Sequence, residues 1–167
     1  MPARSEYYLD LAQFHPPQMG RVQHDVALTK ATESDIGALA ELMVEAYRGT
    51  IDYHGEGVED SIAEVRGYFA GHSGGYPLAQ LSRLAFRNDR LIAACLCAHW
   101  DQRGQPVVAY VMTTASAKRQ GLARFLLVSV LGLLQSAGHG GVHAVITDGN
   151  EASERLFRQA GFNRLAV

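Results

Sequence analysis

The sequence has few cysteines, no long apolar run and no excess of basic residues, and each absence excludes a class of protein. Cys95 and Cys97 are the only cysteines. In an extended strand their Cα atoms would lie about 7 Å apart, at the limit of disulfide reach, so we expect two buried free thiols in a reducing compartment. No stretch approaches roughly 18 uninterrupted apolar residues, and the first ten residues lack the apolar run of a signal peptide. We therefore expect a cytoplasmic protein with no membrane partner.

Neither sign of charge dominates the chain. It has 15 Lys and Arg against 17 Asp and Glu, whereas a general nucleic-acid binder would show an excess of basic residues, so we expect no nucleic-acid partner. The patterns G-x-G-x-x-G and G-x-x-x-x-G-K-S/T are absent, which excludes the common dinucleotide and P-loop sites. We expect no metal either, because His139 and His143 are separated by two glycines and no helix presents them together.

The hydrophobic pattern predicts a run of antiparallel strands followed by strand, helix, strand and helix. The predicted strands are residues 7–12, 25–30, 82–87, 90–100, 107–114 and 143–147. Predicted helices begin after Thr32, at Ser61, at Gly121 and after Asn150. This order indicates an α+β or mixed-sheet fold. We divide the 167 residues into an N-terminal extension, 1–24, and one domain, 25–167, since the length suits one ordinary domain.

The chemistry is predicted where the apolar strand 107–114 leads through a basic turn into the long helix. The first turn of a helix has unpaired N–H groups and partial positive charge, which suit a pyrophosphate. A residue as small as Gly121 lets phosphate oxygens approach the backbone, and Lys118, Arg119 and Arg124 add positive charge. A basic surface turn that merely begins a helix is the alternative interpretation.

Two motifs resemble those of the GNAT superfamily of N-acetyltransferases. The first is Lys118-x-x-Gly121-x-Ala123, which is similar to the family's acyl-CoA-binding motif Q/R-x-x-G-x-G/A. The second is Asn150-x-x-Ser153-x-x-Leu156-Phe157-x-x-x-Gly161-Phe162, which is similar to its second cofactor segment. The resemblance covers residues 25–165. It implies a mostly antiparallel mixed sheet with helices on both faces, and acetyl-CoA as the co-substrate.

The resemblance also implies roles for individual residues. The pyrophosphate would lie on the N–H groups of Arg119, Gln120, Gly121, Leu122, Ala123 and Arg124. The pantetheine arm would bond to the main chain of Val111, Met112 and Thr113, with an N–H near Val111 or Met112 polarising the thioester carbonyl. Asn150 would lie beside the pantetheine, and Phe157 would face the thioester sulfur. Ser153 is a candidate proton donor to the departing thiolate.

Three positions depart from the family pattern. Lys118 stands where the family has Arg or Gln, and Phe157 stands where many members have a proton-donating Tyr. The chain also stops soon after Phe162, where the family usually adds a strand. We expect that edge of the sheet to be covered by a missing strand, by the N-terminal segment, or by a second subunit in a homodimer.

No carboxylate lies on the strand 107–114, where many family members place a catalytic Glu. Two other residues are candidates for the general base, His99 near the end of a central strand and Glu56 in a glycine-flanked loop. Relay through ordered water is a third possibility.

Two functions fit these observations. One is an N-acetyltransferase that acts by direct attack of a small-molecule or peptide amine on the thioester. The other is an acyl-CoA-binding sensor or regulatory module with little or no catalysis. Phe157 and the lack of a carboxylate on the strand 107–114 support this alternative. The acidic residues between Asp52 and Glu64 suit a cationic acceptor, although such a run is also typical of a solvated surface.

Overall fold

The computed structural model describes residues 2–18 and 25–167, which form one seven-stranded sheet with helices on both faces. The strands are β1 (Arg4–Asp10), β2 (Val26–Thr29), β3 (Arg83–Arg87), β4 (Arg90–Trp100), β5 (Gln105–Thr113), β6 (Gly141–Thr147) and β7 (Asn163–Arg164). The helices are α1 (Ile36–Tyr47), α2 (Val58–Phe69), α3 (Leu122–Ser136) and α4 (Glu151–Gln159). Short 3-10 turns occupy Leu11–Gln13, Glu33–Asp35 and Ala115–Ala117.

The strand order is β2-β3-β4-β5-β6-β1-β7, and every pair is antiparallel except β5 and β6. The predicted α+β class with a mixed, mostly antiparallel sheet is therefore confirmed. β3 and β4 form the predicted hairpin, with Asn88 and Asp89 both at positive φ as a tight two-residue turn requires. β4 is buried along most of its length and lies inside the sheet.

Each face of the sheet buries its own apolar core. On one face, leucines of α3 pack with Phe157 of α4 against the apolar side chains of β1, β4 and β6. On the other face, α1 and α2 pack against Leu84, Leu96 and Met112. Cys95 and Cys97 are free thiols buried on the α3 side. No helix in the described ranges is long and apolar enough to span a membrane.

Side chains at the helix starts explain where three of the helices begin. Asp35 accepts a hydrogen bond from the Thr32 N–H at 2.8 Å, as the predicted capping box requires. The predicted start of α2 at Ser61 is wrong, because Asp60 accepts from the Gly57 N–H at 2.9 Å and starts the helix earlier. Asn150 caps α4 as predicted, accepting from the Ser153 N–H at 3.2 Å.

The N-terminal strand β1 covers the edge of β6, for which the sequence allowed several alternatives. β1 pairs with β6 from Arg4 opposite Thr147 to Asp10 opposite Gly141, and β7 pairs with the outer side of β1. Of the three alternatives for that edge, cover by the N-terminal segment is the one that the structure shows. Residues 19–24, in the predicted extension, lie outside the described residues.

Candidate active site

A gap between β5 and β6 forms the centre of the candidate site. The two strands pair only at Val107 with His143 and at Val108 with Ala144, although β5 continues to Thr113 and β6 to Thr147. β5 also has a register shift against β4, beside Ala109. Such bulges bend a strand and increase its twist, which accounts for the separation of β5 from β6.

Three cavities meet at this gap. The helix cleft, of about 630 Å³, is formed by the turn before α3 and the starts of α3 and α4, together with the end of α1. The gap cavity, of about 380 Å³, lies between β5 and β6. The acidic cavity, of about 290 Å³, is formed by α1, α2 and their connecting loop. The gap cavity shares Val111, Asn150 and Ser153 with the helix cleft, and Asp52, Glu64 and Tyr110 with the acidic cavity.

The turn before α3 has the backbone of an anion-binding loop. Gly121 is the N-cap of α3 with φ of 77°, and Arg119 has φ of 66°, which is uncommon for a residue with a side chain. Turns with left-handed residues direct successive N–H groups into one concavity. A Cβ placed on Gly121 would meet nothing within 4 Å, so the space over this turn is open.

The basic residues of this turn differ in what they are free to bind. Arg124 lines the helix cleft, and its Nε is buried without a hydrogen-bond partner among the described residues. Lys118 also lines the cleft, but its Nζ donates to the Ala46 carbonyl at 3.2 Å. The Gln120 side chain donates to the Ser116 carbonyl at 3.1 Å and does not line the cleft. Arg119 also lines the cleft and has no side-chain hydrogen bond or ion pair within the described residues. Arg119 and Arg124 are therefore the two cations of this turn with uncommitted donors.

The start of α4 connects the helix cleft to the acidic loop. Asn150 donates from Nδ2 to Asp52 at 3.0 Å, and Thr147 at the end of β6 donates to the other oxygen of Asp52 at 2.6 Å. Ser153 and Phe157, at spacings of one helical turn, line the gap cavity. The Phe157 ring is 6% exposed and packs edge-on against Phe162, with ring centroids 5.0 Å apart.

The strand residues predicted to bind the pantetheine divide between the two faces of β5. Val111 lines both the gap cavity and the helix cleft, and Thr113 lines the helix cleft. The Met112 side chain is 1% exposed, lies against the α1 and α2 core, and lines none of the three cavities. Met112 can therefore contribute only main-chain groups.

Four carboxylates line the acidic cavity: Asp52, Glu56, Asp60 and Glu64. Glu64 accepts a short hydrogen bond from the Tyr110 hydroxyl. Burial and that bond raise the pKa of Tyr110. Tyr47, at the end of α1, is the one described residue that lines all three cavities. Burial and the nearby carboxylates of Asp52 and Glu64 raise the pKa of Tyr47.

The two residues predicted as general bases lie in different places. Glu56 lines the acidic cavity, but a hydrogen bond of 2.8 Å from the His54 main-chain N–H holds the pKa of Glu56 below its usual value. His99 lines none of the three cavities; its ring stacks on Tyr76 with centroids 4.6 Å apart and contacts Asp101 at 3.0 Å. This geometry does not favour His99.

Sequence reasoning did not single out Tyr47, Tyr110 or Arg4 as site residues. Tyr47 continues the apolar stripe of α1, and only its position at the helix end distinguishes it from a core residue. Tyr110 lies at the β5 bulge, which depends on pairing with β4. Arg4 lies in a segment assigned to an extension, and it lines both the gap cavity and the acidic cavity.

The family model for the acetyltransferase (GNAT) domain matches residues 25–163. The chain therefore belongs to the GNAT family of N-acetyltransferases, as the two motifs predicted. A comparison with curated protein sequences gave no match.

Solved structures with the same fold share little sequence with this chain. A GCN5-related N-acetyltransferase from Sphaerobacter thermophilus is 20% identical in sequence, with a TM-score of 0.70. The match covers 99% of the present chain but only 50% of the Sphaerobacter protein. YncA from Salmonella typhimurium, a putative acetyltransferase solved with acetyl-CoA, is 22% identical with a TM-score of 0.66, covering 86% of this chain and 82% of its own. The Escherichia coli ribosomal-protein-S18-alanine N-acetyltransferase is 17% identical with a TM-score of 0.64, and the match covers 84% of the present chain and 79% of the Escherichia coli protein. These likenesses show the fold.

Proposed function

We propose that the chain is an acetyl-CoA-dependent N-acetyltransferase in which a small cationic amine takes the acetyl group directly. The observation that carries this proposal is the gap between β5 and β6. It joins the helix cleft, lined by α3 and α4, to the acidic cavity, lined by α1 and α2. Two ligands that enter from these two cavities can therefore meet inside the sheet.

The helix cleft fits the cofactor that the family uses. When bound, acetyl-CoA supplies an acetyl thioester, whose acetyl group passes to the amine with release of the free thiol. We propose that the main-chain N–H groups from Arg119 to Arg124 bind its pyrophosphate. The uncommitted Nε of Arg124 and the open space over Gly121 support this assignment. Leu122 and Ala123 contribute backbone at the same cleft, and Asn150, Ser153 and Phe157 line the way into the gap.

Strand pairing favours Val111 as the residue that polarises the acyl oxygen. The Thr114 N–H donates to the Ile92 carbonyl at 2.9 Å, and Met112 stands opposite Ala94 in the same register. Hydrogen-bonded residues alternate along an antiparallel pair, so Met112 bonds to β4 while Val111 and Thr113 direct their N–H groups toward β6. We propose that the Val111 N–H, unpaired at the gap, binds the acyl oxygen there.

We propose that Glu64 accepts the proton that the acceptor ammonium must lose. Glu64 lines both the acidic cavity and the gap cavity, and the Tyr110 hydroxyl fixes one of its carboxylate oxygens. Glu56 is the weaker candidate, because its lowered pKa reduces its affinity for a proton. We assign Glu56 to the binding of the acceptor cation instead.

The departing thiolate must gain a proton to become the free thiol, and Phe157 has none to donate. Tyr47 lines all three cavities, and its hydroxyl carries a proton at neutral pH, as a tyrosine ordinarily does. We propose that Tyr47 donates this proton, with Ser153 as the neighbouring alternative. A thiolate is a fair leaving group, since thiol pKa values lie near about 8.5, so this donor is not indispensable.

The acidic cavity supports a small cationic acceptor. Its volume, about 290 Å³, lies at the lower end for small-molecule pockets. Its four carboxylates attract an ammonium group and stabilise it before the proton is lost.

The first prediction is that acetyl-CoA raises the melting temperature of the protein and that added amines then release free thiol from it. A ligand at a hundred times its Kd stabilises the folded state by about 2.7 kcal/mol. Gly121→Asp should abolish the rise in Tm, because its carboxylate fills the open space over the turn and repels phosphate.

Gly138→Asp is the matched control. Gly138 also has a positive φ, of 90°, with open space around it, but it lies at the other end of α3. This variant should keep the full rise in Tm. A rise that survives Gly121→Asp would place the phosphates elsewhere, and no rise in the wild type would remove the cofactor assignment. A rise in Tm without thiol release for any amine would favour the sensor module, the alternative supported by Phe157 and the carboxylate-free β5.

A further inference from the structure

Arg4 differs from the other charged side chains that surround the acidic cavity. It is the one Arg or Lys among the described residues lining that cavity, and it also lines the gap cavity. It lies on β1, outside the region 25–163 that matches the family model. Its contribution to the site is therefore a property of this chain and not of the matched domain.

The position of Arg4 is fixed by the sheet. Arg4 stands opposite Thr147 in the β1–β6 ladder, and the Asp148 N–H donates to the neighbouring Ala3 carbonyl at 2.8 Å. Ser5 and Tyr7 are both buried, and Tyr7 belongs to the core on the α3 side. Because strand residues alternate between faces, Arg4 and Glu6 lie on the opposite side of β1, and Arg4 lines the acidic cavity there.

Arg4 has no ion pair or side-chain hydrogen bond within the described part of the chain. Glu6, the next charged residue on that face, is by contrast held by Arg103 at 2.6 Å and His143 at 2.8 Å. A guanidinium beside four carboxylates would ordinarily pair with one of them. This one does not.

Each of the four carboxylates already has another partner. Asp52 accepts from Thr147 and Asn150, and Glu64 accepts from Tyr110. Glu56 accepts from the His54 N–H and Asp60 from the Gly57 N–H. The cavity therefore presents a set of locally anchored acids and one unpaired guanidinium, a combination that is complementary to a ligand carrying both charges.

We propose that the acceptor is an amino acid or a closely similar small molecule, with a carboxylate beside its amine, and that Arg4 binds this carboxylate. This inference rests on the proposed function. The ammonium lies toward Glu64 and the gap, and the planar guanidinium of Arg4 accepts the carboxylate with two parallel N–H···O bonds. Arg4 is thus a residue that determines acceptor specificity.

The test compares the common amino acids with their carboxamides as acceptors, measured as free thiol released from acetyl-CoA. The wild type should prefer the best amino acid over its amide by about tenfold or more in kcat/KM, because the amide leaves the guanidinium unpaired. Arg4→Gln should reduce this preference to near one, because it lowers kcat/KM for the amino acid far more than kcat/KM for the amide. Arg4→Lys should keep part of the preference, since it retains the charge but not the paired geometry.

Arg158→Gln is the control, because Arg158 is exposed on α4 and lines none of the three cavities. It should leave the preference unchanged, and all variants should keep the rise in Tm with acetyl-CoA. The proposal is overturned if the wild type has equal kcat/KM for amino acids and their amides. It is also overturned if Arg4→Gln lowers kcat/KM for both by the same factor. Thiol release with simple amines but with no amino acid also overturns it while the proposed function stands. If no amine causes thiol release, both the amino-acid acceptor and the proposed acetyltransferase function are wrong.

Discussion

At the scale of single residues, Phe157 lines the candidate site without carrying a hydroxyl. It lines the gap cavity from α4, at the position that the motif resemblance aligns with a tyrosine of many family members. Its ring contributes apolar contact and no proton. Tyr47 reaches the same cavity from α1 and carries a hydroxyl. The donor that we propose therefore lies on the opposite face of the sheet from Phe157.

Replacing Phe157 by tyrosine should restore the missing hydroxyl. Phe157→Tyr should keep the fold and raise kcat by about tenfold, toward the lower end of what a general acid contributes. Phe157→Ala should weaken acetyl-CoA binding and lower the free energy of unfolding by about 3 kcal/mol, because the ring is buried. Steady-state thiol release and thermal unfolding measure these effects.

Phe125→Tyr is the control for an added hydroxyl, because Phe125 lies on α3 and lines none of the three cavities. It should not change kcat. If Phe157→Ala leaves both cofactor binding and stability unchanged, the ring lies outside the site.

The elements of this fold follow from local sequence where the pattern is strong. β4 was predicted over 90–100 and spans Arg90–Trp100, because its apolar run is bounded by a tight turn and by glycine. The start of α2 was predicted wrongly because two capping-box spacings overlap, and Gly57 with Asp60 forms the real one. The β5–β6 gap was not predictable in this way, since the bulge beside Ala109 depends on pairing between distant strands.

The second helix should supply the catalytic base. Glu64→Gln should lower kcat by about 10²-fold or more while the KM for acetyl-CoA stays near its wild-type value, because the helix cleft does not include Glu64. Tyr110→Phe should lower kcat less than Glu64→Gln does, since it removes only the bond that fixes the carboxylate. Initial rates across pH measure both effects.

Glu59→Gln is the matched control on the same helix. Glu59 is exposed and lines none of the three cavities, so its loss should not alter kcat. An active Glu64→Gln enzyme with an unchanged pH profile would point to proton transfer through water, or to Asp52.

Across the whole molecule, the helix cleft could be predicted from the sequence and the acidic cavity could not. Residues 118–124 are contiguous. The local pattern of a strand, a turn and a helix start is therefore enough to predict that they lie close together. The acidic cavity combines side chains from β1, α1, α2 and β5, which only the sheet order brings together. Arg4 reaches the acidic cavity because β1 pairs with β6, and no local sequence pattern indicates that these two strands are neighbours.

The arrangement of the cavities also predicts the kinetic order of the reaction. Because the helix cleft and the acidic cavity are separate and meet only at the gap, both substrates can bind at once and no acetylated enzyme is required. The two thiols are unsuited to carry the acetyl group, since both are fully buried and burial raises the pKa of Cys97 to about 11. Initial-velocity plots against both substrates should therefore give intersecting lines, and labelled acetyl-CoA alone should leave no label on the protein. Cys97→Ala, if folded, should turn over at a rate near that of the wild type. Parallel lines with retained label would show a covalent intermediate and would contradict direct transfer through the gap.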